Sequence, residues 1–350
     1  MSSILRLSVR LKPPYWLLLT LFLISKGSTS AANSRWDSWW NYDTSGVSGP
    51  SYWGLINPDV WGMCAKGRRQ SPVDIDPTRL LFDPNLKPLY IDNQAAEGVL
   101  VNLGQVLAIK PNNTHIKPIL ISGGPLGAYE YHLHEIRFHF GDRPGRGSEH
   151  TIGGQAFPAE LQVIAYNAKL YKHFEEAAKS PNGLVALAAL LYVSKDKNAL
   201  NREIRRVGSL LSKVHYKGQS VPLERIHLQD FLPRTSQFVT YEGSMTSPGC
   251  FETVTWIVFN KPNYISEQDL RHLRDLHTTE SKQDPPMMMT NNFRPVQPLN
   301  KRTLRTNINF NYKSNSEEAN CRPASNEVLY RPNPKFPWTT VKPQKQRDEE

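Results

Sequence analysis

Cysteine and long apolar segments are both scarce in this sequence. Its 350 residues contain three cysteines, an odd number that leaves at least one thiol unpaired within the chain. The longest apolar run, residues 15–24, is shorter than the roughly 20 residues that a membrane-spanning helix needs. Internal repeats and nucleic-acid-binding motifs are absent too, which argues against a solenoid or a DNA-binding protein. With 39% hydrophobic residues, the chain can still form a sizeable core.

The first 32 residues have the features of a secretory signal peptide. Three basic residues precede the apolar run, and small residues suited to cleavage follow it at positions 27–32. An uncleaved membrane anchor is the alternative interpretation. Without the four cations of this segment, the formal charge of +10 falls to about +6. We therefore expect a secreted, extracellular protein whose basic surface is either ordinarily solvated or suited to acidic partners.

Residues 33–310 have the pattern of one domain rich in strands. Short alternating and apolar runs are punctuated by Gly, Pro and Asn, which is typical of sheet proteins. Three near-continuous apolar runs predict central strands that are buried on both faces, at residues 161–166, 183–193 and 254–259.

Two short helices and a tail complete this organisation. The helices are predicted at residues 174–179 and 266–276, the second with Ser266 as its N-cap and Asp269 in its first turn. Residues 311–350 are rich in Pro, Asn, Lys and Glu and have few periodic apolar positions. We predict that they form a largely disordered tail.

A histidine-rich segment at residues 131–141 carries the most chemical information. Side chains two positions apart on a strand share a face, so three polar residues of this segment are expected to lie together. Two polar residues of the next predicted strand share a face in the same way. The pattern predicts one site built from Glu135, Arg137, His139, Glu160 and Gln162.

The same alternation puts Leu133 on the face of this site and turns His132 and His134 to the other face. These two histidines have the spacing of metal ligands, so a surface metal site with a third ligand is one interpretation. Partly buried, hydrogen-bonded histidines are the alternative, and we favour it.

Three further blocks have recognisable patterns, at residues 70–75, 244–258 and 292–299. Together with the histidine-rich segment, they resemble the α-carbonic anhydrases in content and in order, over roughly residues 36–310. The resemblance implies a mixed α/β fold that is mainly β, with a large, twisted, mostly antiparallel central sheet and short peripheral helices.

The resemblance also implies a catalytic zinc held by three histidines, but the matching positions here are Arg137, His139 and Gln162. A guanidinium stays protonated and has no lone pair to give. The amide oxygen of glutamine is a weak ligand for zinc. Without zinc, no bound water is acidified to form the nucleophile. We therefore predict no zinc cofactor and a pseudoenzyme with no catalytic residues.

Other positions of the family's site are changed or kept. Gln105 stands where the family has its proton-shuttle histidine, and glutamine does not titrate. Thr246 and Glu149 match the pair that orients the zinc-bound hydroxide. Their retention has two interpretations, residual catalysis or a structural polar network. Since a lone buried arginine is costly, we further predict that Glu135 and Glu160 neutralise Arg137.

The combination at the zinc positions resembles the secreted carbonic anhydrase-related proteins X and XI. This implies a non-catalytic extracellular ligand that binds another protein at neuronal surfaces, with a neurexin-type adhesion receptor as the partner. Two alternatives stay open: a secreted zinc-dependent carbonic anhydrase with atypical ligands, and a glycan-binding extracellular protein that uses its basic surface.

The cysteines and one asparagine complete these predictions. The resemblance implies a disulfide between Cys64 and Cys250, which leaves Cys321 either paired with another molecule or exposed as a free thiol. Asn112 begins an Asn-Asn-Thr sequence, the acceptor pattern for N-glycosylation.

Overall fold

Alternating and apolar segments form the strands of one large sheet. The computed structural model describes residues 39–112 and 117–310, so the predicted signal peptide, the predicted tail and Cys321 lie outside the described residues. The described strands are β1 Asp74–Ile75, β2 Leu80–Phe82, β3 Leu89–Ile91, β4 Ala95–Asn102, β5 Leu107–Pro111, β6 Leu120–Gly123, β7 Tyr131–Phe140, β8 Thr151–Ile152, β9 Ala159–Asn167, β10 Leu184–Val193, β11 Ser220–His227, β12 Phe238–Gly243, β13 Val254–Phe259, β14 Asn263–Ile265 and β15 Leu304–Thr306.

Short helices lie between these strands. The described α-helices are α1 Trp53–Ile56, α2 Pro58–Trp61, α3 Met63–Lys66, α4 Phe174–Ala177, α5 Arg202–Leu210 and α6 Glu267–Arg274, and short 3-10 turns join several elements. None of the described helices is long and apolar enough to cross a membrane.

The main sheet contains 13 of the described strands, in the central order β11-β4-β5-β7-β9-β10-β13-β12-β15-β2. Strand β14 lies beside β10, and β6 joins β3 to β7. Neighbouring strands are antiparallel except for the pairs β10–β13, β10–β14 and β15–β2. The predicted fold class, mainly β with a large, mostly antiparallel sheet, is therefore confirmed.

The two faces of the sheet bury two separate apolar clusters. On one face, Leu161 and Val163 of β9 pack in the cluster that also contains the apolar sides of α5 and α6. On the other face, Ile164 packs in the cluster that contains Trp256. Because side chains alternate along β9, Gln162 lies on the same face as Ile164. The polar site is therefore on the face that α5 and α6 do not cover.

The two predicted helices are both present, and four described helices, α1 to α3 and α5, were not predicted. Ser266 caps α6: its hydroxyl accepts from the Asp269 amide, and the Asp269 carboxylate reaches back to form a capping box. The first predicted helix is α4, which ends earlier than expected. Helix α5 was missed because its three arginines were interpreted only as scattered surface charge. The side chain of Asn201 caps its N-terminus.

A bulge in β7 overturns part of the predicted alternation. The pairing of β7 with β9 shifts register between Leu133 and Glu135, so one extra residue is inserted there. His132 pairs with Tyr166 and is thereby on the face of the site, whereas Leu133 packs in the cluster on the opposite face. The predictions for Leu133 and His132 were therefore wrong, because an inserted residue reverses the parity of everything before it.

Candidate functional site

The centre of the candidate site is a buried ion pair. Arg137 Nη2 lies 2.6 Å from Glu135 Oε1, and its Nε donates to the same oxygen at 2.7 Å. The side chains are 15% and 3% exposed. Burial alone would raise the pKa of Glu135, but the charge of Arg137 outweighs it and holds that pKa below the ordinary 4.5. The predicted neutralisation of Arg137 by Glu135 is confirmed.

His139, next along the same face of β7, is fully buried and has one defined hydrogen bond. Its Nδ1 lies 2.7 Å from the carbonyl oxygen of Asn292. Because a carbonyl only accepts, Nδ1 must carry the proton. Nε2 is then a lone-pair nitrogen in the neutral ring, and it has no hydrogen-bond partner within the described residues.

Gln162 lies opposite Arg137 across the β7–β9 pair, and its carboxamide is held by two carboxylates. Nε2 donates to Glu149 Oε2 at 2.7 Å and to Glu160 Oε1 at 2.9 Å. The reverse orientation would place the amide oxygen against two carboxylate oxygens, so this one is fixed by the network. All three side chains are buried.

This arrangement occupies Glu149. Its Oε2 accepts from Gln162, and its Oε1 accepts from the backbone amide of Arg294 at 2.8 Å. Thr246 is also buried, but no hydrogen bond between Thr246 and Glu149 occurs in the described part of the chain. The pairing that the resemblance implied is therefore not formed among the described residues.

Glu160 is not a partner of Arg137, contrary to the prediction. Its carboxylate accepts from the backbone amide of His150 at 2.8 Å and lies 2.9 Å from the ring Nδ1 of the same residue. Burial alone would raise the pKa of Glu160, but His150 and the hydrogen bonds hold it below the ordinary value. Glu160 is thus committed to His150 and Gln162.

Two residues of the site were missed from the sequence. His150 continues the network through Nε2, 2.7 Å from the hydroxyl of Tyr241, which itself donates to Ser71 at 3.0 Å. Tyr42 packs its ring edge-on against His139, with centroids 6.1 Å apart. Burial raises the pKa of Tyr42 strongly, and the nearby Glu149 adds to this rise. For His150, the only signal in the sequence was its position directly after Glu149.

Asn292 fixes the strand that carries His139. Its Oδ1 accepts from the Phe140 amide at 2.8 Å, and its Nδ2 donates to the Phe138 carbonyl at 3.0 Å. The same Nδ2 donates to the backbone oxygen of Gln105 at 3.3 Å. The backbone at the shuttle position is therefore tied to the strand of the site, although its side chain does not titrate.

A buried arginine and a disulfide close the site from the N-terminal side. Cys64 and Cys250 are bonded, as the resemblance implied. Arg294 donates to the Gln70 side chain and to the carbonyl of Ser71, both at 2.9 Å. Burial lowers the pKa of Arg294 to about 10. The Arg294 contacts join residues 70–71 to the segment that follows α6, and the disulfide joins Cys64 to the segment between β12 and β13.

The other predicted sites occupy separate places. His132 and His134 pack on aromatic rings, with His134 stacked on Phe174 at 3.6 Å. Seven residues along a strand span roughly 23 Å, so His132 is too far from His139 to share a ligand. Asn112 follows β5, where its amide donates to the carbonyl of Glu97.

Comparison with known proteins identifies the family. The family model of the eukaryotic-type carbonic anhydrases matches residues 48–308. Because this match covers most of the chain, the chain belongs to the carbonic anhydrase family.

Two relatives come from Caenorhabditis elegans. Carbonic anhydrase-like protein 2 is 42% identical over 294 residues, covering 82% of this chain and 86% of the relative. Carbonic anhydrase-like protein 1 is 34% identical over 333 residues, covering 77% of this chain and 90% of the relative. Both are described as carbonic anhydrase-like.

Proposed function

We propose that this chain is a secreted, catalytically inactive member of the carbonic anhydrase family, which acts as an extracellular ligand for another protein. The observation that carries the first half is the pair of interactions in place of the zinc ligands. Arg137 is bound to Glu135, and Gln162 is bound to two carboxylates. Both side chains are held by carboxylates through their N–H donors, and neither offers the nitrogen lone pair of the histidine that it replaces.

The donor set does not fit zinc. A catalytic zinc takes three good ligands and one open position. Only the Nε2 lone pair of His139 meets that need. The described residues contain no group of three or more His, Cys, Asp or Glu side chains arranged to hold a metal ion. The fixed charge of Arg137 also repels a dication, by several kcal/mol at contact distance if the effective dielectric is about 20.

The positions that would orient the nucleophile and transfer the proton also support an inactive protein. Glu149 is occupied by Gln162 and the Arg294 amide, so it does not orient the Thr246 hydroxyl toward a nucleophile. Gln105 offers no titratable group for proton transfer. The retained polar residues instead satisfy one another, which is what buried polar groups require in any folded domain. This supports the structural interpretation of the network over residual catalysis.

Restoring the ligands tests the proposal. The wild-type chain is expected to contain no zinc after dialysis and to leave carbon dioxide hydration at the uncatalysed rate. Arg137→His combined with Gln162→His should bind one zinc per chain, because His139 already supplies a lone pair. Gln105 should still keep turnover slow. One zinc and fast hydration in the wild type would overturn the proposal; a double variant without zinc would show that the ligand positions are wrongly assigned.

The binding half of the proposal is supported by resemblance and by one thiol. The resemblance to the carbonic anhydrase-related proteins X and XI implies a cell-surface partner of the neurexin type. Cys321 is the cysteine left over from the Cys64–Cys250 bond, and it lies outside the described residues. Secreted chain from animal cells, run without reductant beside Cys321→Ser, tests covalent binding. Adducts that disappear with reductant and with the variant support it, and monomer in both samples refutes it.

A further inference from the structure

A row of three potential ligands lies outside the site described above. His277 and Met288 form an isolated antiparallel bridge. The amide of Thr278 donates to the Met287 carbonyl at 2.8 Å, and that of Met289 donates to the Leu276 carbonyl at 2.7 Å. These bonds flank the bridge, so it is the narrow, non-hydrogen-bonded kind of pair. Its two side chains stand on the same side, with Cβ atoms about 4.5–5.5 Å apart.

His215 completes the row on the other side of His277. The amide of His277 donates to the His215 carbonyl at 2.9 Å. The two imidazole rings have centroids 4.7 Å apart and are tilted by 43°. Three neighbouring backbones therefore carry His215, His277 and Met288 in a row, with His277 between the other two.

The backbone that carries both histidines is fixed by one buried residue. Asn102 Nδ2 lies 3.2 Å from the His215 carbonyl and 3.0 Å from the His277 carbonyl, and it also contacts the Val214 carbonyl at 3.1 Å. Asn102 is itself fully buried. A site whose backbone is held by such supporting bonds loses little conformational freedom when a ligand arrives.

The side chains of the row are available for binding. Nδ1 of His277 is buried and has no hydrogen-bond partner within the described residues. Met288 is 42% exposed, so its side chain is accessible from solvent. Both histidines are partly buried, so the row lies at the surface but is shielded on one side.

We propose that His215, His277 and Met288 bind one cuprous ion. Thioether sulfur is a soft ligand that selects Cu(I), and imidazole suits copper as well. The row contains no carboxylate, and the described residues offer no cluster of His, Cys, Asp and Glu for a harder metal. Only two of the three donors are good zinc ligands, so the thioether disfavours tight zinc binding and suits the softer cuprous ion.

The test is a competition titration of the full-length chain with Cu(I). The ion is presented by a coloured Cu(I) chelator, with ascorbate as reductant so that the Cys64–Cys250 bond stays intact. Cys321→Ser serves as the background, because a free thiol would bind Cu(I) on its own. One Cu(I) per chain is expected. Met288→Leu and His277→Gln should each weaken binding by at least about tenfold, since even supporting residues of metal sites cost that much.

Matched controls make the result specific. Met287→Leu changes the adjacent methionine, which is 56% exposed and lies outside the row, and it should leave the affinity unchanged. The exposed position of Met288 makes unfolding of its variant an unlikely cause, and circular dichroism checks this directly. The proposal fails if no Cu(I) binds, if Met287→Leu and Met288→Leu behave alike, or if zinc competes with Cu(I) on equal terms.

Discussion

Removing the charge of Glu135 should destabilise the domain by about 3 kcal/mol, because it leaves Arg137 buried without its counterion. Breaking a buried pair by deleting one partner costs about 3–5 kcal/mol. The lower end applies here, since the Arg137 side chain is 15% exposed and can recover some hydration. Glu135→Gln keeps the shape and isolates the charge.

Urea unfolding of the full-length chain measures this loss. We expect a lower midpoint with an unchanged slope, because the surface exposed on unfolding stays the same. Replacing both partners, Glu135→Met together with Arg137→Leu, should cost much less than Glu135→Gln alone, since a hydrophobic replacement of a whole buried pair is often neutral.

The effect has a defined pH dependence. The pKa of Glu135 is held below its ordinary 4.5, so its contribution to stability is fully present above pH 4.5 and is lost as the pH falls through the lower folded-state value. The difference in unfolding free energy between wild type and Glu135→Gln should therefore shrink only in acid.

Glu130 supplies the matched control. It pairs with Lys169 at 3.2 Å, but both side chains are nearly half exposed. Glu130→Gln should cost less than about 1 kcal/mol, as exposed ion pairs do. Equal losses for the two variants, or no loss for Glu135→Gln at neutral pH, would refute the buried ion pair.

Three further predictions concern the frame of the site. Cys64→Ser should cost roughly 2–5 kcal/mol in unfolding free energy, and added reductant should then have no further effect, because Cys250 has lost its partner. Asn102→Ala should cost about 2–3 kcal/mol by calorimetry, since three carbonyls lose a buried donor. Glu160→Gln should cost about 1–3 kcal/mol in urea, because the amide and ring N–H groups of His150 lose a charged acceptor; a neutral result would show that Glu160 is not ionised.

The pattern of apolar residues alone was sufficient to predict the central strands. The runs that became β9, β10 and β13 are buried on both faces, so their sequences lack the alternation of a half-exposed strand. Helix α6 was equally accessible, because its capping box is a local pattern of side chains and backbone. Helix α5 also carried local signals, an Asn201 cap and buried positions Ile204 and Val207 three residues apart, but its arginines were interpreted as scattered surface charge.

The site was predictable where one strand determined it. Glu135 and Arg137 are two positions apart, so their meeting follows from alternation. The bulge before Glu135 could not be foreseen, because an inserted residue leaves no mark in a polar sequence, and it moved His132 to the face of the site. Tyr42 was also missed, because its contact with His139 depends on how a segment distant in sequence folds over the sheet.

The closure between the two ends of the domain has a consequence for how the chain is made. Strand β2 pairs in parallel with β15, and the side-chain oxygen of Gln70 accepts a hydrogen bond from Arg294. A ribosome releases the N-terminal members of these pairs more than 200 residues before their partners. During that interval β2 lacks its neighbouring strand β15 and Gln70 lacks the buried cation Arg294, so translation of β15 is the step at which the nascent domain can first become a closed, native structure.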